Sequence, residues 1–192
     1  MPIIIDYPQV LERMQRLGFT CNYHNGGAFS FPKGTAQHVV AHVGPPDTTI
    51  RPAALPFAIP VPPPYERNLA RLATHAWQHH LSGLVWVMPL AHWAFELDPA
   101  TQPWFPKLLR DLGLDPTPLV GLNTAAAIEF APTEADPFER LVEALLTHLQ
   151  SSDFALAFPG HPVLCTLHHH KQLWWITTEE PIAGRLRQIL TF

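Results

Sequence analysis

Val163-Leu164-Cys165-Thr166-Leu167-His168-His169-His170-Lys171-Gln172-Leu173-Trp174-Trp175-Ile176-Thr177 reads as two apolar, strand-like runs joined by a polar stretch. Residues 154–158 form a further apolar run just upstream, across a Pro159-Gly160 turn. Neither connection is long enough to hold a crossover helix, so neighbouring strands must run antiparallel. Immediately before them lies a helix with a clear start, Asp136-Pro137-Phe138-Glu139, and an apolar stripe of Leu141, Val142, Leu145, Leu146 and Leu149.

Working outward, the same order of helix and then strand pair appears twice more. Asp6 and Gln9 open a first helix, Val10, Leu11, Met14 and Leu17 recur at helical spacing, and Gly18 stops it. Residues 19–24 and 28–31 then flank Asn25-Gly26, a hairpin signal. A second helix is expected over 65–81, ended by Gly83, and residues 84–88 are apolar on both faces, as a central strand requires. Residues 92–97 alternate and predict its partner strand. Further strands are expected over 37–43 and 124–130, with shorter helices over 103–112 and 181–190. This pattern predicts an α+β fold, a mostly antiparallel sheet with the helices near 8–17, 65–81 and 138–150 layered on one face. The chain of 192 residues suits a single domain, 1–192.

Residues 44–64 interrupt that rhythm with eight prolines, which forbid helix and a central strand. Leu55, Phe57, Ile59 and Val61 nevertheless alternate with Pro56, Ala58, Pro60 and Pro62. The segment therefore predicts an extended strap, lid or edge cover, with its greasy side against the body.

Charged residues make up only 15% of the chain and hydrophobic ones 47%. Such a surface permits a homo-oligomer or a partner interface. Lysine occurs only at Lys33, Lys107 and Lys171, and no basic run exists, so nucleic acid is not expected as a partner. No stretch approaches the roughly 20 apolar residues of a membrane span, and the start has no basic leader, so a soluble, cytoplasmic setting is expected. Only two cysteines occur, Cys21 and Cys165, which excludes a four-thiolate zinc site, and both alternate in phase with apolar neighbours and read as core residues.

Twelve histidines are many for this length. On an extended strand His168 and His170 share one face, with Thr166, and His169 takes the other. An H-x-H pair of this kind presents two nitrogen ligands to one ion. If helices cover the apolar face, His24, His92 with Glu96, and Glu129 converge with them on the other. Imidazole and carboxylate together suit a divalent metal such as zinc, with one position left for water. Glu96 or Glu129 then serves as ligand or general base. Trp174 and Trp175 project one indole to each sheet face, one for the core and one for a ligand or partner protein. His75 and His79 lie one helical turn apart, but no Glu follows His75 as H-E-x-x-H requires. No nucleophile elbow, phosphate loop or dinucleotide turn is present. Two functions follow: a protein- or small-molecule-binding, regulatory module without catalysis, and, as the alternative, a divalent-metal-dependent hydrolase.

Overall fold

The computed structural model describes residues 1–21, 29–46, 58–90, 93–97, 102–119, 127–149 and 152–190. In chain order these form strand β1 (Ile3–Ile5), helix α1 (Tyr7–Arg16), and strands β2 (Thr20–Cys21), β3 (Phe29–Ser30), β4 (His38–Gly44) and β5 (Ala58–Pro60). Helix α2 (Tyr65–Ala76) runs on into a π-helical turn, Trp77–Leu81, before strand β6 (Val85–Pro89). Helices α3 (Trp93–Glu96) and α4 (Trp104–Asp111), strand β7 (Ala127–Phe130) and helix α5 (Ala135–His148) follow. Strands β8 (Phe154–Ala157), β9 (Val163–His168) and β10 (Gln172–Thr177) then lead into helix α6 (Glu180–Ile189).

Eight strands make one sheet in the order β1-β7-β6-β8-β9-β10-β4-β5, and β2 with β3 make a separate small sheet. All neighbours are antiparallel except β4 and β5, so the α+β class and the mostly antiparallel sheet read from the sequence hold. The Pro-rich strap supplies β5, a three-residue edge strand, the position that tolerates proline. Val61 is buried and donates its N–H to the Gly44 carbonyl oxygen at 2.9 Å, and Ile59 packs partly against the core. Leu55 and Phe57 lie outside the described residues.

The expected single helical layer needs correction. Val85 and Val87 of β6 and Phe154 and Leu156 of β8 join one core with Leu69 of α2, Leu141 and Leu145 of α5, Phe105 of α4 and Ile182 of α6. Their strand neighbours Trp86, Met88, Ala155 and Ala157 join a second core with Val10 and Met14 of α1 and Phe29 beyond the first turn. Strand periodicity puts those two sets on opposite faces. Helix α1 and the small sheet therefore cover the reverse face. A central strand apolar on both sides needs a cover on both sides, so this arrangement follows from the residues that marked β6 as central.

One strand was not read from the sequence, and one local reading changes. The apolar start Ile3-Ile4-Ile5 is a sheet strand, paired with β7 in the register Ile3↔Glu129 to Ile5↔Ala127. Residues 93–96, expected as a strand, form a helical turn in which the Leu97 N–H bonds the Trp93 oxygen at 2.8 Å. Trp93 and Leu97 are both buried, and a spacing of four satisfies a helix as readily as alternation satisfies a strand. No helix among the described residues is long and apolar enough to cross a membrane.

Met14 and Leu145 are both fully buried, on opposite sides of the sheet. Met14→Ala and Leu145→Ala are each expected to cost about 2–5 kcal/mol in urea unfolding, within one cooperative transition. An unchanged midpoint for Met14→Ala would show that α1 is not part of the folded unit's core.

Candidate metal site

Strand β9 ends at His168, two residues before the triplet does, and His168 pairs with Gln172 across the ladder to β10. The loop between them has three residues. Lys171 donates its N–H back to the His168 oxygen at 2.9 Å, and Lys171 itself has φ 60°. A three-residue hairpin loop of this kind is a tight turn closed by a left-handed residue, a place usually given to glycine. Lysine there costs about 1–3 kcal/mol, which the rest of the loop has to offset. Its ammonium does part of that by pairing with Glu66 of α2 at 2.5 Å, which also holds the Glu66 carboxyl below the usual carboxylate range. Gly44 on β4 leaves room for the loop to close: a Cβ there would sit 2.7 Å from the Gln172 side chain and 3.2 Å from the Lys171 oxygen.

Because His169 and His170 occupy the turn, strand alternation no longer separates His169 from the other two. All three imidazoles gather, each offering a nitrogen within 4.8 Å of the others. The Nδ1 atoms of His168 and His170 are 3.2 Å apart. The His170 backbone N–H also donates to His168 Nδ1 at 3.2 Å, which leaves the lone pair of His168 on that nitrogen. The His168 ring is stacked on Trp174 at 4.3 Å, and also lies nearly parallel to His169 and His170. His168 is buried, His169 half-buried and His170 exposed. Burial holds the His168 imidazole below the ordinary histidine value; Asp153 pulls it up, while His169 and His170 push it further down.

A carboxylate that the sequence reading passed over completes the group. Asp153 stands one residue before β8, whose register Phe154↔Leu167 places it beside His168. Its Oδ1 accepts the His169 backbone N–H at 2.9 Å and the ring Nδ1–H at 2.7 Å. Its Oδ2 lies 3.9 Å from His168 Nε2. With Nδ1 donating to Asp153, His169 keeps its unprotonated nitrogen at Nε2, the orientation by which a carboxylate typically steadies a metal-binding imidazole. The Pro159-Gly160 signal does not give this register: a two-residue turn there would pair position 153 with 166, and the longer loop between Ala157 and Leu164 moves the partner to 168.

The other predicted residues fall elsewhere. Glu96, in α3, is buried, and one oxygen accepts the Ser152 hydroxyl while the other has no partner among the described residues. Its partner Ser152 adjoins Asp153 in the chain, but Glu96 is not among the gathered donors. Glu129 accepts the Trp86 indole N–H at 2.8 Å and lies 3.7 Å from Arg13, near the opposite sheet edge. His24 and His92 lie outside the described residues. The face-sharing of His92 with Glu96 assumed a strand, and Glu96 is in a helical turn. Trp175 is buried in the core against Phe158, whereas Trp174 is half-buried, flanked by His168 and, edge-on, by His42. The Cys165 thiol is fully buried, which pushes its proton affinity up and suits a core residue.

Another histidine group, His75, His79 and His80, lies at the end of α2. The π-helical turn brings His79 to 4.6 Å and His80 to 5.9 Å from the His75 ring. Among the described residues only the 168–170 group has three donors gathered closely enough for one ion. No protein-family model, curated protein or solved structure matches the chain, so the reading of the site rests on its own geometry.

Burial raises the Glu96 carboxyl above its ordinary value, with the Ser152 bond opposing. The folded protein thus holds this proton more tightly than the unfolded chain. The stability that this gives is complete in acid and is lost as pH rises from the usual carboxylate range through the raised value. Glu96→Gln should match wild type in acid and unfold at a higher temperature near neutral pH. A difference between the two that stays constant across a pH series of thermal melts would contradict this account.

Proposed function

We propose that this chain is a divalent-metal-binding module, with the ion held by His168, His169 and His170 at the β9–β10 loop. One observation carries the reading: a single three-residue loop and the strand end before it gather three imidazoles, one of them oriented by Asp153. Two nitrogens bound to tetrahedral zinc at about 2.0–2.1 Å lie about 3.4 Å apart. The 3.2 Å separation of the His168 and His170 Nδ1 atoms is close to that, and a bound ion would take the His168 Nδ1 lone pair from the His170 backbone N–H. His169 offers its nitrogen within 4.8 Å of the other two. An all-imidazole set suits zinc, and also copper, nickel or iron.

Three protein ligands leave a fourth position on the solvent side, where His170 is exposed. A donor from a small molecule or from a partner protein fits there, which makes the module a binding or regulatory one. Catalysis is the second reading, favoured by that same open position, since a bound divalent ion lowers the pKa of its water towards neutrality. The carboxylates argue for the first. Asp153 is committed to His169, and Glu96 is buried on Ser152, so neither is free to act as a base.

Zinc titration followed by calorimetry should give one site per chain, on protein purified without a histidine-affinity column. The background should carry His75→Ala and His79→Ala, to remove the surface pair on α2. His168→Ala is expected to abolish the site, and Asp153→Asn to weaken it about 10–100-fold. Unaltered affinity in His168→Ala would refute the assignment. If zinc raises the melting temperature of the parent protein and not of His168→Ala, binding and folding are linked through this loop.

A further inference from the structure

The sheet ends differently on its two sides. At one end β5 stops at Pro60 amid further prolines, and the adjacent stretch of β4 has its Val39 oxygen taken by the Arg187 guanidinium at 2.7 Å. Both features block further strand pairing. At the other end β1 pairs with β7 on its inner side, and among the described residues no strand pairs with its outer side. Ile3-Ile4-Ile5 carries no charge and no proline, and its register with β7 has no bulge. Ile3 is 51% exposed, and with Met1 it accounts for the exposed large hydrophobics among the described residues.

An open groove of about 610 Å³ runs beside β1, walled by α1. Glu12 and Glu129 line it together with Arg13 and Arg16, two charges of each sign. Within the chain Arg16 pairs with Glu12 at 2.5 Å, four residues apart and both well exposed. An exposed pair of this kind contributes little by itself and is readily exchanged. The groove therefore has no net charge with which to select an acidic or a basic peptide. It has what an isologous contact needs, a patch complementary to itself.

We propose that β1 is the interface of a homodimer, in which two copies pair β1 antiparallel about a two-fold axis and join their sheets edge to edge. Centred on Ile4, the pairing sets Ile3 of each copy against Ile5 of the other and shields the exposed isoleucine. Pro2 limits the new ladder to three residues, so main-chain bonds alone are too few to hold it. The two α1 helices supply the rest: they flank the axis, and Glu12 of each copy takes Arg16 of the other.

The test is sedimentation of the full chain across the micromolar range, with a chelator present so that no metal bridges two molecules. The wild type should show a concentration-dependent dimer. Ile3→Lys replaces an exposed side chain and should leave the circular dichroism and melting of the monomer intact, while raising the dimer dissociation constant about tenfold or more. Glu12→Arg should weaken the dimer, and Glu12→Arg combined with Arg16→Glu should recover it, because the exchanged pair is again self-complementary. A wild type that stays monomeric throughout overturns the proposal. So does a dimer that Ile3→Lys leaves unchanged, since its interface must then lie elsewhere.

Discussion

Strands β6 and β8 are buried on both faces, and that single constraint organises the molecule. Side chains alternate along a strand, so every apolar residue on the β6–β8 ladder demands partners on its own side. One side is satisfied by Leu69, Leu141, Leu145 and the other helical residues of the larger core. The other side carries Trp86, Met88, Ala155 and Ala157, and it would face water if all the helices lay together. Helix α1 and the small β2–β3 sheet have to go there, and Val10, Met14 and Phe29 are what they bring. The chain passes from β1 straight into α1 with only Asp6 between. Asp6 accepts the Gln9 N–H at 3.0 Å, which caps the helix and fixes its start beside the strand.

How far the sequence could be read follows from the same physics. Helices with strong stripes and punctuated ends were legible: Asp6 and Gly18 bound α1, and Gly83 follows the end of α2. So was the β8–β9–β10 ladder, because its connections leave no room for anything but antiparallel neighbours. Residues 92–97 were not, since Trp93 and Leu97 satisfy both periods over so short a span. Layering was misjudged although its cause was visible in the two apolar faces of residues 84–88. Pairing between distant strands, such as β1 with β7, depends on contacts more than a hundred residues apart, and local patterns carry no information about those.

The site shows the limit more sharply. Alternation places His168 and His170 together only if the strand continues through the triplet, and it does not. The turn begins at His168, with none of the Gly, Asn, Asp or Pro that normally announces one. The ladders end there too: the β8–β9 pairing stops at Phe154 and Leu167, and β10 begins at Gln172. The turn gathers His169 with its neighbours, which alternation forbade, and the hairpin register delivers Asp153, which no search for distant carboxylates would choose. Glu129 was plausible by type and parity alone; in the fold it is spent on Trp86 and Arg13.

A sequence that specifies one fold usually keeps its local preferences in agreement with its tertiary contacts, and departures gather where something other than stability is served. Here several departures meet in one loop. Lys171 takes a left-handed conformation better suited to glycine. Three imidazoles crowd with two ring nitrogens 3.2 Å apart, at most one proton between them. A glycine on β4 keeps a space that a methyl group would fill. Gly44 serves the β4–β10 ladder, where it stands opposite Gln172, but neither the lysine nor the imidazole crowding helps the sheet, for which a short Asn-Gly turn would close β9 on β10 at lower cost. Asp153 and the Trp174 indole hold the crowded rings in place, fixing the His169 tautomer on one side and backing His168 on the other. The strands that carry the loop are mostly buried and paired on both sides, and a set of donors held in place by its surroundings loses less conformational freedom on binding. That is the physical sense in which the metal-binding reading accounts for features that folding alone leaves without a reason.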